Sequence, residues 1–495
     1  MSVTLFSDTS LLGASPAMLV AGDWVRTEHT RPVDNPATGR VLAAVPEATE
    51  AHVEAAVAEA HRAQREWGRL SYAKRAAVLQ EIVRQTEAHA EELAQIVVAE
   101  QGKTITEARG EIGGVGAFFD YAISQKFRTT GDVVAPSASG EQLLVREVPV
   151  GVVAAIIPWN FPAAIFARKV APALMAGNAI VVKPSELTPL SSLAMAKVCE
   201  LAGLPRGLVS VVTGGGRTVG KALVEHPLVD MVTVTGSTRA GREILAQTAQ
   251  RIIPVSLELG GKAPFIVFDD ANLDLAVDEA FSARFANCGQ VCTCNERTYV
   301  QRGVYDEFVS RFVAKVATLK VGDPLLDSSD MGPKVSQAEW DKVKDFVDSA
   351  VAAGARLELG GGTPDGMQHD GGFWFAPTVL TGVTNEMPVM QREVFGPVLP
   401  IIPFDTYDEV MEWANSTEYG LTSYVFTEDI RTAMSATDDL EFGEVYVNRI
   451  GPEEVQGFHT GWKLSGLGGD DGQHGFERYT RRKSVYLRYG RAATV

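Results

Sequence analysis

The chain has 495 residues, with 45 Lys and Arg against 62 Asp and Glu, a net charge of −17. A surface that acidic repels phosphate backbones and excludes sequence-independent binding of nucleic acid, while 45% hydrophobic and 22% charged residues exclude wholesale disorder. Four Cys are too few for a disulfide scaffold and suit a reducing compartment, and three of them, Cys288, Cys292 and Cys294, share one short window.

At roughly 150 residues per domain the length implies two to four domains. Residues 1–20 carry little pattern and read as a loosely packed tail. No Lys or Arg precedes Arg26, so neither a secretory signal nor a transit peptide is expected, and the reading is a soluble cytoplasmic protein. From Glu50 to Trp67, the positions Val53, Ala56, Val57, Ala60, Ala63 and Trp67 recur at helical spacing, with Thr49 placed to cap the helix and Glu50 in its first turn. Ser71 to about Ala99 reads as a long helix or a pair. Val148 to Ala167 is uncharged and about the length of a bilayer span, but Pro149, Pro158 and Pro162 would break a helix there. A buried strand, Val152 to Ile157, followed by a tight turn at Pro158 to Pro162 is expected instead, with no membrane partner.

Beyond Glu147 the grammar becomes strand, loop, helix. Ala179–Val182, Val209–Val212 and Met231–Thr235 are β-branched runs, each followed by a turn and a helical segment, which predicts an α/β fold with a mainly parallel, doubly wound sheet. A second α/β block is expected from near Val255, with strands at Pro264–Phe268, Thr298–Val300, Val398–Ile402 and Tyr424–Phe426. Helices at Tyr305–Leu319 and Gln337–Ala353 would lie between them. Ser484–Leu487 reads as an edge strand with few partners, a natural place for subunits to pair.

Three motifs carry chemistry. Closely spaced Cys can bind a metal, but tetrahedral sites need a second ligand pair, and neither Cys199 nor any pair of His supplies one, so no metal is expected. The remaining readings are small buried hydrophobes, which suits Cys288 and Cys294, and a nucleophile activated by its surroundings. Spacing alone does not say which Cys that is. Glu258-Leu259-Gly260-Gly261-Lys262 places a carboxylate at a backbone bend, either projecting into a cleft or paired with Lys262. Gly215 to Ala222 follows a strand and nearly matches a P-loop, but Ala222 stands where a Mg²⁺-binding hydroxyl is needed. That disfavours a nucleotide-hydrolysing protein and leaves a dinucleotide pyrophosphate at a helix N-terminus, a geometry repeated at Gly236 to Gly241.

Together these segments resemble the aldehyde dehydrogenase superfamily from about Asn35 to Leu487. The resemblance is carried by Pro158-Trp159-Asn160-Phe161-Pro162, Lys183-Pro184-Ser185-Glu186, Gly236 to Gly241, Glu258 to Lys262, Gly289-Gln290-Val291-Cys292 and Glu393-Val394-Phe395-Gly396-Pro397. It implies NAD-dependent oxidation of an aldehyde to its acid through a cysteine thiohemiacetal and thioester. Cys292 would be the nucleophile, Asn160 an oxyanion donor and Glu258 the base that activates water. Lys169 and Asp470 would form a proton route behind it. Ile157, Pro158, Trp159, Lys183, Ser185, Glu186, Gly220, Gly236, Ser237, Glu393 and Phe395 would hold the cofactor. A carboxylate at Glu186 favours NAD, with NADP possible.

The C-terminal motifs from Gly443 to Gly475, with Cys294-Asn295-Glu296-Arg297, resemble the lactaldehyde/glycolaldehyde dehydrogenase branch. Arg168, Phe161, Glu453 and His459 would then line a polar substrate pocket for a small polar or 2-hydroxy aldehyde. A semialdehyde or a sugar-derived aldehyde is the alternative, since Arg168 equally suits an anionic tail. A non-catalytic binding or structural member is also possible, although Cys292 and Glu258 are both present. The resemblance further implies a NAD-binding domain of residues 20–126 and 149–257 and a catalytic domain of 258–460. A bridging sheet of 127–148 and 478–495 would build a homodimer or homotetramer.

Overall fold

A computed structural model describes residues 5–128, 131–367 and 371–490, arranged around three main sheets. In the first, Val209–Val211, Ala179–Lys183, Val152–Ile156, Met231–Thr235 and Val255–Glu258 lie side by side and parallel. Their side chains are almost wholly buried, as expected when helices cover both faces of a parallel sheet. The chain builds outward from Val152–Ile156 in one direction, then returns to add Met231–Thr235 on its other side. The crevice at the carboxyl ends of these two neighbours is the position at which doubly wound sheets bind ligands.

Two expectations need correcting. The segment before residue 20 is not a loose tail over its described part: Leu11, Leu12 and Ala17 are buried, and Met18–Val20 adds antiparallel to Val209–Val211. Residues 1–4 lie outside the described residues. Val255–Glu258 belongs to the first sheet, so the second begins at Ala263. Gly466–Leu467 also returns to the first sheet, antiparallel to Val255–Glu258, and places the C-terminal motifs beside Glu258.

The second sheet runs Arg356–Leu359, Thr378–Thr381, Val398–Phe404, Asn295–Gln301, Ala263–Val267, Thr422–Phe426 and Glu444–Val447. All pairings are parallel except that of Arg356–Leu359. The two-residue period sorts its core: Phe265 and Val267 pack toward helices Leu273–Phe285 and Arg302–Val316, while Ile266 faces a cluster containing Val343 and Val347 of helix Gln337–Ala352. In the third sheet Glu141–Pro149 lies between Gly131–Val134 and Thr480–Arg488, antiparallel to both. The expected edge strand is longer than Ser484–Leu487 and pairs from Thr480↔Pro149 to Arg488↔Glu141. Residues 129–130 and 491–495 of the expected bridging segments lie outside the described residues.

The uncharged stretch is a strand, a turn and then helix Pro162–Ala176. Among the described residues no helix is long and apolar enough to cross a membrane. Ser71 to Ala99 is a helix pair, Tyr72–Ala88 and Ala90–Gln101, parted at His89 (φ −114°).

Candidate active site

A cleft of about 1530 Å³ opens between the carboxyl ends of the first sheet and the Cys292 loop. Most of the residues singled out in the sequence line it, Cys292, Glu258, Asn160, Glu186, Glu393 and His459 among them, whereas Lys169, Asp470 and Cys288 do not. Ile157, Pro158 and Trp159 continue from Val152–Ile156, and Trp159 meets Phe395 edge-on with ring centroids 5.2 Å apart. Lys183 donates to the carbonyls of Pro184 (2.7 Å) and Gly214 (3.0 Å) and stands 3.7 Å from Glu186. Burial lowers the Lys183 pKa, against the pull of Glu186. Glu186 accepts from the Gly216 N–H (2.7 Å), and Ser185 Oγ accepts from the Leu187 N–H. Gly220 closes the tight Gly216–Gly220 turn.

Gly236 and Ser237 lead into helix Thr238–Thr248, whose first turn Ser237 caps by accepting from the Ala240 N–H. A Cβ at Gly236 would meet nothing within 4 Å, so the floor beneath this helix terminus is open. Farther along, Glu393 accepts from the Gly261 N–H (2.8 Å), and burial pushes its pKa up to about 7. An open helix N-terminus between two hydroxyl-accepting carboxylates suits a dinucleotide: amide dipoles for the pyrophosphate, Glu186 and Glu393 for the two riboses.

Cys292 sits on a loop whose approach is forced into left-handed backbone, with φ of 49°, 55° and 68° at Asn287, Cys288 and Gly289. Such strain persists only when surroundings over-determine it. Here Arg284 donates to the Gly289 and Asn295 carbonyls (2.8 Å each), and Gln290 accepts from the Val335 N–H. Tyr424 Oη donates to the Thr293 carbonyl at 2.5 Å. Asn160 Nδ2 donates to the Gln290 carbonyl (3.0 Å), and the Asn160 carbonyl receives Asn287 Nδ2 (3.0 Å). The expected oxyanion donor is thus seated against the nucleophile's loop. Cys292 is half-buried; Cys288 and Cys294 are fully buried, and burial pushes their thiols up to about 12 and about 11.

Beyond Cys292 lies a buried charge cluster. Glu258 ends Val255–Glu258 and does not pair with Lys262. Among the described residues neither of its oxygens has a hydrogen-bond partner, and burial pushes its pKa up to about 8 despite His459 nearby. His459 Nε2 lies 3.6 Å from Glu258, its Nδ1 bonds Glu444 at 3.0 Å, and Cys292 is close enough to act on the ring. Burial opposes charge on this ring, but Glu453 and Glu444 prevail and raise its pKa well above the usual range. Arg168 pairs with Glu453 and with Asp471 (3.0 Å), and its guanidinium covers the Phe118 ring. Glu453 is held at about 2, where burial is outweighed by Arg168 and His459, while burial lifts Asp471 to about 7. Lys169 is fully buried behind the cleft wall, 2.5 Å from Asp470.

Sequence reasoning missed several supports. Lys103 donates to the Asn160 carbonyl (2.9 Å) and to Glu111 (2.7 Å), and lies over the Phe161 ring. Glu111 accepts from the Ala163 and Ala164 N–H groups, capping helix Pro162–Ala176. Glu107 accepts from the Asn287 N–H. Lys262 pairs with Glu296 (2.6 Å), which receives the Val394 and Phe395 N–H groups and so fixes the Glu393–Phe395 loop. Their only sequence signal is a charge beside a motif.

A crevice for a dinucleotide facing a thiol and a buried carboxylate is the cleft of an α/β oxidoreductase. The aldehyde dehydrogenase family model matches residues 24–485, and the chain belongs to that family: it is an NAD(P)-dependent aldehyde dehydrogenase. It is 61% identical to the 3,6-anhydro-α-L-galactose dehydrogenase of Streptomyces coelicolor, over 99% of this chain and 100% of that protein. It is 42% identical to the lactaldehyde dehydrogenase of Escherichia coli, over 95% and 98%. A solved 3,6-anhydro-L-galactose dehydrogenase in complex with NAP (NADP) superposes with a TM-score of 0.93 at 45% identity, covering 95% of this chain and 99% of that one.

Two outcomes follow from this geometry. At Gly289 a Cβ would lie 2.3 Å from the Gly396 carbonyl oxygen, and φ is left-handed. Gly289→Ala should cost about 1–3 kcal/mol and disturb the Cys292 loop; a wild-type melting temperature and wild-type NADH formation would contradict the reading. Glu296 is held at about 2, burial being outweighed by Lys262 and Arg284. Because the folded value is depressed, its stabilisation is present above the ordinary 4.5 and is lost as pH falls toward 2. Glu296→Gln, which leaves Lys262 and Arg284 buried without their counter-charge at a cost of about 3–5 kcal/mol, should lower the melting temperature at neutral pH. That deficit should shrink across the acid window.

Proposed function

We propose that the chain oxidises a neutral, hydroxyl-bearing aldehyde of sugar origin, rather than an anionic semialdehyde, to its carboxylic acid. One observation carries this: Arg168, the cation placed to meet an anionic tail, is already neutralised by both Glu453 and Asp471. The inner wall then presents buried carboxylates, which accept hydrogen bonds from hydroxyls and repel a carboxylate or sulfonate tail. The 61% identity to an enzyme named for a 3,6-anhydro sugar supports the same class. Phe161 would pack the carbon skeleton, with Arg168, Glu453 and His459 as the polar wall.

In this reading the Cys292 sulfur adds to the aldehyde carbon and gives a thiohemiacetal. Asn160 Nδ2, which has a second hydrogen beyond the one given to Gln290, and the Cys292 N–H donate to the oxyanion, each worth about 3 kcal/mol. NAD supplies the hydride acceptor when bound, and oxidation of the adduct leaves a thioester on Cys292. Glu258 removes a proton from the water that attacks this thioester, and the C–S bond breaks to release the acid and the Cys292 thiolate. The proton on Glu258 then has a way out through the Lys169–Asp470 pair behind it. Ile157, Pro158 and Trp159 would support the cofactor, with Lys183, Ser185 and Glu186 at the adenosine ribose. Gly220, Gly236 and Ser237 would sit at the pyrophosphate, and Glu393 and Phe395 at the nicotinamide ribose. The Glu186 carboxylate favours NAD over NADP.

The same reading assigns cofactor binding to residues 20–126 and 149–257 and chemistry to 258–460. The third sheet exposes Val133, Tyr486 and Tyr489, each more than 70% accessible, and a second copy of the chain covering them accounts for that apolar surface. The assembly is a homodimer or homotetramer, in a cytoplasm that keeps Cys292 reduced.

Cys292→Ser should abolish aldehyde-dependent NADH formation while leaving dinucleotide binding intact; retained turnover would refute the nucleophile. Because Glu258 acts as a carboxylate and titrates near 8, thioester hydrolysis should rise with pH to a plateau above that value and fall below it. Glu258→Gln should trap the acyl-enzyme, visible by intact mass. In a substrate panel, kcat/KM for an anhydro sugar aldehyde should exceed that for succinate semialdehyde by about 100-fold, and the reverse order would sink the neutral-substrate reading.

A further inference from the structure

His459 sits where its ring meets the reacting groups more closely than the open cleft. It is 2% exposed, and both ring nitrogens are engaged: Nδ1 by Glu444 at 3.0 Å, and Nε2 on the side of Glu258, at 3.6 Å. Its backbone is fixed as well, exchanging N–H···O bonds with Asp470 at 3.0 and 2.8 Å. Glu444 begins strand Glu444–Val447 and also accepts from Thr422 Oγ1. The ring is therefore tethered to the second sheet and its backbone to the Asp470 loop, and a tethered ring of this kind orients charge rather than adapting to ligands. Glu258, by contrast, has no hydrogen-bonded partner among the described residues.

We propose that Glu444 and His459 form a charged couple that keeps Glu258 ionised and aimed at the Cys292 acyl group, making His459 a positioning residue for water activation. The proposal rests on the assignment of Cys292 and Glu258 above, and it gives Glu444 a role in the reaction. The charged groups around the ring are consistent with it. Glu444 and Glu453 favour the imidazolium, as do Glu258 at the end of the first sheet and Asp470 and Asp471 on the following loop. Arg168 and Lys169 on helix Pro162–Ala176 oppose it, but each is spent on a carboxylate of its own. Cys292 completes the shell. A cation 3.6 Å from a desolvated carboxylate offsets the cost of ionising it. Without that cation Glu258 would remain protonated over more of the working pH range and activate water more slowly.

The test isolates hydrolysis from both aldehyde and cofactor. Cys292 is acylated with 4-nitrophenyl acetate at low pH, where Glu258 is protonated. The acyl-enzyme is then jumped to higher pH, and loss of the acetyl group is followed by intact mass. Wild type should show a rate rising through a limb near pH 8. In His459→Gln enzyme acylated to completion, whatever the acylation rate, that limb should lie higher by about one pH unit or more. Glu444→Gln should move it in the same direction by less, and it is the independent arm because it leaves the buried ring in place. An unmoved limb in the folded variants overturns the couple. So does a His459→Gln enzyme in which the aldehyde KM rises while the limb stays in place, since that leaves His459 with its substrate contact alone. Acylation that survives Cys292→Ser overturns the nucleophile reading, and this inference with it.

Discussion

The contact on which the site depends is the exchange of amide hydrogen bonds between Asn160 and the Cys292 loop. Asn160 follows the central strand of one sheet, while Asn287 and Gln290 precede the first long strand of the other. Two bonds of 3.0 Å bring them together, and almost everything around them serves to hold that register. Lys103 grips the Asn160 carbonyl, Glu111 anchors both Lys103 and the helix that follows, and Glu107 holds the Asn287 N–H. The left-handed run at Asn287 to Gly289 is the cost of turning the chain sharply enough to present Cys292 to the cleft. It is tolerable because both ends of the turn are hydrogen-bonded into the core.

The second constraint is electrostatic. Glu258, Glu444, Glu453, Asp470 and Asp471 gather around Arg168, Lys169 and His459; Glu258, Asp470, Lys169 and His459 are buried and the others partly so. Buried charges of one sign are sustainable only with partners, and here the cations are divided among the carboxylates. The result is graded: Glu453, closest to Arg168, titrates at about 2, while Asp471 and Glu258 are pushed to about 7 and about 8 by burial. One cluster therefore contains both a permanently charged wall and a carboxylate poised to take up a proton.

Much of the first sheet was legible because parallel strands buried on both faces are written as uninterrupted β-branched runs. Met231–Thr235 matches its expected limits, and Ala179–Lys183 extends past them by one residue. The antiparallel additions at its edges, Met18–Val20 and Gly466–Leu467, were not legible: they are two or three residues long and defined by their partners. The second block was expected from near Val255, whereas Val255–Glu258 completes the parallel run of the first sheet, because a sequence does not show where a strand is inserted. At the site, the motifs bring their residues to one cleft, but the ion pairs do not follow from them. Lys262 stands four residues from Glu258 and pairs instead with Glu296, and Arg168 finds Asp471 across three hundred positions. Nothing local distinguishes such a partner from any other charge.

That separation matters for how specificity arises in this fold. Glu453 lines the cleft, and together with Asp471 and Glu444 behind it sets the state of Arg168 and His459. His459 in turn faces both Cys292 and Glu258. A substitution that changes the charge of this wall therefore alters the field at Glu258 as well. An anionic substrate would need Arg168 released from its carboxylates, which would leave Glu453 and Asp471 buried without a cation. Neutral hydroxylated aldehydes avoid that cost, because hydroxyls can donate to carboxylates already balanced by the protein. On the proposed reading, substrate preference and the ionisation of Glu258 are thus two consequences of one arrangement of buried charge.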